Sequence, residues 1–144
     1  MEIRPICEEE QKNAIDLIWN TFLKFEAPDY STQGVKAFYA FLSDENTLKS
    51  LEFFGAFENN ELLGVIATRH KKKHISCFFV LDKYQGQGIG KKLWKYVKER
   101  SEFLAITVNS SPYAVEIYHK LGFEDTDTEQ LVDGIRYIPM CFLK

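Results

Sequence analysis

Three glycines at alternate positions, Gly86, Gly88 and Gly90, stand between an apolar run, Phe78-Phe79-Val80-Leu81, and a basic stretch that opens with Lys91-Lys92. Glycine lets a backbone come close to a ligand. A helix that starts there leaves free N–H groups and the positive end of its dipole, which suits a phosphate. Two familiar nucleotide loops fail on spacing. A Gly-x-x-x-x-Gly-Lys-Ser/Thr loop needs a hydroxyl for magnesium, and Gly90-Lys91 is followed by Lys92. A Gly-x-Gly-x-x-Gly turn needs its third glycine one residue later than Gly90, and an acid after the next strand, where Val108-Asn109-Ser110 stands. The pattern left is Gln85-x-x-Gly88-x-Gly90.

Groups that could move protons lie on either side of this turn. His74 directly precedes the apolar strand, and an imidazole has a pKa suited to a base. Glu26, Asp29 and Tyr30, in a loop after the first helix, are alternatives. His70 and His119 read as exposed. Tyr118 is either a proton donor or a core tyrosine with a satisfied hydroxyl. Phe78 and Phe79 read as core side chains whose backbone remains available, and most of the lysines read as solvated helix surface.

The elements that must position these groups follow from periodicity. Glu2 to Cys7 alternates as a short strand. Glu8 to about Phe25 repeats at helical spacing, with Glu8-Glu9-Glu10 at its start and Ala27-Pro28 ending it. Ser31 can cap a second helix through Val35, Phe38, Phe41 and Leu42. Asp44 to Ser50 reads as a turn or short helix. Glu52 to Phe57 and Leu62 to Arg69 form a hairpin about Asn59-Asn60, and Ile75 to Val80 reads as a central strand. The basic run Lys71-Lys72-Lys73 either extends the hairpin strand or loops out. A helix from Gly88 to Ser101 presents Ile89, Leu93, Tyr96 and Val97, and Phe103 to Val108 completes a β-α-β unit with parallel strands. Ser111-Pro112 starts a last helix carrying Ala114, Ile117, Tyr118 and Leu121 on one face, and Gly122 ends it. Thr128–Val132 and Ile135–Phe142 close the chain as a hairpin through Asp133-Gly134.

With that context the chain resembles the GNAT superfamily of acetyl-CoA-dependent N-acetyltransferases. The resemblance rests on Gln85-x-x-Gly88-x-Gly90 after an apolar strand, and on Ala114-x-x-Ile117-Tyr118-x-x-Leu121-Gly122-Phe123. It implies one domain over residues 1–144, an α/β (α+β) acyl-CoA N-acyltransferase fold with a mixed central sheet of about six or seven strands and about four helices. It implies acetyl-CoA as cosubstrate and transfer of its acetyl group to a primary amine of a small molecule or peptide by direct attack. The alternative is a module that senses acyl-CoA without turnover. Cofactor contacts are then expected from Phe78, Phe79, Val80, Gln85, Gly86, Gln87, Gly88, Ile89, Gly90, Lys91, Asn109, Ser111 and Tyr118. The backbone of Phe78 and Val80 would hold the pantetheine arm in a gap beside a bulged strand, and Tyr118 would protonate the leaving sulfur. His74, placed relative to Gln85 like the glutamate base of the histone-acetylating branch, would be the base. Ser111 stands where many members carry an asparagine, so Asn109 is the expected substitute for that contact. Many members dimerise, though no interface is legible.

Composition bounds the rest. The 144 residues, 45% hydrophobic, suit one globular core, and the net charge of −3 offers no attraction to nucleic acid. No apolar run is long enough to span a membrane and MEIRPICEEE lacks a secretory apolar region. Cys7, Cys77 and Cys141 are odd in number and widely spaced, which argues for reduced, core or near-core thiols, no metal site, and a cytoplasmic setting. Acids Glu26 and Asp29 among Phe25, Tyr30, Phe38 and Tyr39 suggest a small cationic amine as acceptor.

Overall fold

The computed structural model describes residues 1–144. The strands are β1 (Glu2–Pro5), β2 (Glu52–Glu58), β3 (Glu61–Arg69), β4 (His74–Val80), β5 (Ala105–Ser110), β6 (Glu124–Asp125), β7 (Gln130–Val132) and β8 (Ile135–Leu143), and the helices are α1 (Gln11–Phe25), α2 (Thr32–Ser43), α3 (Glu45–Lys49), α4 (Ile89–Arg100) and α5 (Val115–Lys120). The sheet runs β1-β2-β3-β4-β5-β8-β6, with β7 paired to the start of β8. Every pairing is antiparallel except β4 with β5. This is the expected mixed α/β domain with more small elements. The segment after Asp44 closes into α3, and β6 is a two-residue strand with no alternation to announce it. β7 begins at Gln130 rather than Thr128, because Asp127 Oδ1 accepts the Thr128 amide at 2.7 Å and holds a turn. No helix is long and apolar enough to cross a membrane.

Two cores lie on opposite faces of the sheet. α4 and α5 cover one with Leu93, Trp94, Val97 and Tyr118 against Phe54, Ile66, Ile75 and Ile106. α1 covers the other with Ala14, Ile18 and Phe22 against Phe53, Val65, Cys77 and Phe79. Trp94, absent from the expected α4 stripe, is buried beside Phe123 and Phe142. Cys7 is exposed rather than near-core, with its thiol on Glu10.

The strand β4 contains the decisive irregularity. Ala67 pairs with Cys77 and Thr68 with Ile75, so Ser76 is an extra residue, a β-bulge. Its effect shows in packing. Ile75 belongs to one core and Cys77 to the other, although residues two apart in a regular strand share a face. Beyond the bulge β4 leaves β5: only His74↔Thr107 and Ile75↔Val108 are paired.

The run His70-Lys71-Lys72 loops out as a turn of left-handed residues, with φ of 56°, 57° and 69°. Each costs about 1–2 kcal/mol in a side-chain-bearing residue, and the buried Ser101 braces the turn by donating to the Lys72 carbonyl at 2.9 Å.

At the far end of the sheet the β7–β8 turn packs on the start of α2. The Ser31 hydroxyl accepts the Gly34 amide at 3.2 Å, capping the helix as expected. A Cβ on Gly34 would collide with the backbone carbonyl of Gly134, and one on Gly134 would collide with the Gly34 amide. The Gly34→Ala variant should therefore lose about 1–3 kcal/mol of stability by overpacking against an unyielding backbone. Gly90→Ala, whose Cβ would meet the Phe78 and Val80 side chains at ordinary distances of 3.5 and 3.9 Å, should be neutral or slightly stabilising. Urea unfolding of both variants checks the contrast.

Candidate active site

The splay of β4 from β5 opens the molecule into two cavities that meet. The first, about 380 Å³, runs from the glycine turn along Val80, Gly86, Gly88 and Lys91 to Tyr118. Gly86 and Gly88 are left-handed, with φ of 78° and 84°, and nothing lies within 4 Å of where their Cβ atoms would be. Side chains there would be strained and would fill space that is now open. Gly88 caps α4, and the first helical amide to find a carbonyl is that of Lys92, on Gly88 at 3.1 Å. The amides of Ile89, Gly90 and Lys91 thus have no partner within the helix and start a positive dipole end. An anionic diphosphate fits this cradle. Gln85 braces it: its side-chain amide donates to the Val80 carbonyl at 2.9 Å, tying the turn to the end of β4.

The groove walls also explain some exposed apolar groups. Ile117, expected to be buried with Tyr118, is 47% exposed. It faces the groove with Phe25 and Tyr113, whose rings are 5.3 Å apart.

The second cavity, about 310 Å³, lies on the other side of β4. Tyr30, Phe38 and Phe41 form an aromatic wall, and Arg69, His74 and Ser76 line it from β3 and β4. Val132, Asp133 and Tyr137 of the β7–β8 hairpin close it.

Glu26, Phe78, Phe79, Ala114 and Tyr118 line both spaces. The electrostatics of this junction are unusual. Glu26 is half-buried, and desolvation pushes its carboxyl up from the ordinary 4.5 to about 7; the Ser111 hydroxyl pulls it back, and the negative charge of Asp29 raises it further. Burial, and after it the charge of Glu26, holds the Tyr118 phenol well above its usual range, so it stays protonated. The Tyr118 ring packs between Phe78 and Phe123, and its hydroxyl makes no hydrogen bond to a protein group.

His74 is placed differently. It lines only the second cavity, and its Nδ1 is 2.7 Å from Thr107 Oγ1. Burial first, then the positive charges of Arg69 and His70, push its pKa down from 6.5 to about 4. Such an imidazole is neutral at pH 7 but a weak base, and it stands away from the junction that Glu26 lines. Of the expected cofactor contacts, Phe78, Phe79, Val80, Gln85, Gly86, Gly88, Ile89, Gly90, Lys91 and Tyr118 line the first groove. Gln87 does not, because its side chain turns back to the Lys83 carbonyl at 3.3 Å. Asn109 and Ser111 line the second cavity instead, since they leave β5 on the far side of the gap. His70 is exposed, and His119 is exposed and paired with Asp125 at 2.7 Å. Arg69 went unnoticed in the sequence because one arginine at a strand end carries no pattern.

Comparison with known proteins gives a consistent result. A family model described as an acetyltransferase (GNAT) domain matches residues 26–144. No curated protein sequence matches. Among solved structures, a GCN5-related N-acetyltransferase from Rhodopseudomonas palustris superposes with a TM-score of 0.85 at 20% identity, over 99% of this chain and 95% of that one. The PaiA N-acetyltransferase of Thermoplasma acidophilum, solved in complex with coenzyme A, gives 0.77 at 22% identity over 99% and 98%. An aminoglycoside 6'-N-acetyltransferase complexed with coenzyme A gives 0.64 at 13% over 99% and 97%.

The two perturbed groups act oppositely on stability. Glu26 binds its proton more tightly folded than unfolded, so its contribution falls as pH rises from 4.5 to about 7. His74 binds its proton less tightly folded, so its contribution grows as pH rises from about 4 to 6.5. In Glu26→Gln only the rising part remains. The unfolding free energy of that variant should climb more steeply between pH 4.5 and 6.5 than that of the wild type. Urea titrations across this window test it, and parallel profiles would contradict the assignment.

Proposed function

This chain belongs to the GNAT acetyltransferase family and is an acyltransferase, and we propose that it moves the acetyl group of acetyl-CoA to a primary amine by direct attack, with Glu26 as base and Tyr118 as hydrogen-bond donor to the departing sulfur. The observation that carries this reading is the shared wall: a thioester at the inner end of the groove and an amine in the second cavity would meet between Glu26, Phe78 and Tyr118.

The cosubstrate supplies an activated acetyl thioester; the protein supplies position and proton handling. Backbone amides at the start of α4, with Lys91, hold the diphosphate. From Ser76 onward β4 has no strand on its β5 side, so its backbone there is free to bond the pantetheine arm. The Leu81 amide bonds the Leu63 carbonyl of β3, so by alternation the N–H groups of Phe78 and Val80 face the gap, and one of them aimed at the carbonyl oxygen would stabilise the charge that develops there.

The incoming amine must be neutral, because its lone pair forms the C–N bond. Glu26, with a pKa of about 7, is ionised often enough to accept a proton and basic enough to hold it. As the C–S bond breaks, Tyr118 donates a hydrogen bond to the sulfur. Its raised pKa makes full proton loss uphill, so the proton that finally neutralises the thiolate is the one shed by the nitrogen, returned through Glu26.

Three variants separate these roles. Glu26→Gln should lower kcat by about 10²-fold or more and abolish the rise of kcat/KM with pH near 7. Tyr118→Phe should lower kcat by about tenfold to a hundredfold, the equivalent of one charge-assisted hydrogen bond. Neither should change CoA affinity measured by calorimetry. His74→Gln should keep the wild-type pH profile. Thiol release from acetyl-CoA reads all three, and a flattened profile in His74→Gln with an intact one in Glu26→Gln would return the base to His74.

A further inference from the structure

We propose that the acceptor carries a carboxylate as well as its amine, and that Arg69, with Ser76 beside it, is the subsite that holds the carboxylate. This rests on the transfer reading above and narrows its substrate class to small amino acids.

Arg69 ends β3, directly opposite His74 on β4, and lines the second cavity but not the cofactor groove. Its Nε is buried with no hydrogen-bond partner, and none of the ion pairs in the molecule includes it. The hydroxyl of Ser76, at the bulge, is also buried without a partner and lines the same cavity. The guanidinium, half-buried in the cavity wall, has no acid bound to it. Its planar fork of donors matches a carboxylate in a bidentate manner.

The remaining polar groups give the cavity a direction. Glu26 stands at the junction with the groove, and Arg69 stands away from it. Asp133 lies on the exposed hairpin turn at the rim and forms no ion pair. His74 is held by Thr107. Asp29, which in the sequence reinforced a cationic acceptor, does not line the cavity. An ammonium directed to Glu26 and a carboxylate directed to Arg69 complement this layout, whereas a polyamine would bring positive charge to Arg69. The volume of about 310 Å³ is near the lower end for ligand pockets, and its aromatic wall suits the body of a single amino acid. The field of Arg69 reaches across this space, lowering the proton affinity of His74 and opposing the effect of burial on the Cys77 thiol.

The test uses matched acceptors: amino acids such as phenylalanine and glutamate, their α-amides, the corresponding decarboxylated amines, and phosphoethanolamine as an amine with a different anion. Thiol release should give the wild type at least a tenfold higher kcat/KM for one or more amino acids than for the matched amide and amine. Arg69→Gln should lose that preference, chiefly through a higher KM for the amino acids, and Arg69→Lys should recover part of it. Equal or better use of the decarboxylated amines by the wild type, or an equal loss for every acceptor in Arg69→Gln, would overturn the subsite. Preference for phosphoethanolamine over every amino acid would overturn the carboxylate.

If no amine is acetylated, melting curves of the CoA-saturated protein with the same compounds decide the matter. A rise in Tm with amino acids in the wild type, absent in Arg69→Gln, would support the subsite while the transfer reading fails. No rise in either protein would overturn the subsite.

Discussion

Between Ile75 and Cys77 the fourth strand carries one residue more than the strand it pairs with, and the geometry of both cavities follows from that insertion. The extra residue, Ser76, reverses which side chains face which core, so Phe78 turns toward Tyr118 while Phe79 packs under α2. It also bends β4 away from β5 after two paired residues. A parallel pair that closed fully would bury its backbone groups against each other and leave no room for an extended arm between them. The open pair keeps those groups available along one edge and lets an acyl chain and an amine approach from opposite sides.

The same gap sets the electrostatics. A carboxylate and a phenol at the meeting point of two half-closed spaces lose much of their hydration, and both hold their protons more tightly than in water. For Glu26 the outcome is a carboxyl that titrates near neutrality, and for Tyr118 a phenol that stays protonated. His74 and Arg69, at the other end of the second cavity, show the reverse arrangement: burial, and after it the charges of Arg69 and His70, drive the proton from the imidazole. One cavity thus has an acidic end at Glu26 and a basic end at Arg69.

Much of this was legible in the residues. Gln85-x-x-Gly88-x-Gly90 marked the turn before α4, which Gly88 caps as expected, whereas Ser111 caps a 3-10 turn at Pro112–Ala114 and α5 itself begins at Val115. Local spacing carries such signals because caps and turns involve neighbours in sequence. The base was harder. His74 has the favourable intrinsic pKa, but burial and Arg69 reverse that advantage, and both effects depend on residues brought together by the sheet. Glu26 was one of three candidates in a loop, with Asp29 and Tyr30, and its burial beside Ser111 distinguishes it. Ile117 and Trp94 exchanged their expected places because a helical stripe shows which residues share a face, not whether that face meets a core or a groove. The contact between Gly34 and Gly134 joins residues far apart in the chain and left no mark in the sequence.

That contact also distinguishes the two cavities by where their walls lie in the chain. Every residue of the cofactor groove lies at or before Tyr118, whereas the acceptor cavity also needs Val132, Asp133, Ile135 and Tyr137. The β7–β8 hairpin, held by the docking of Gly134 on the start of α2, thus forms a wall of one cavity alone, and changes in it would reshape that cavity while leaving the lining of the groove as it is.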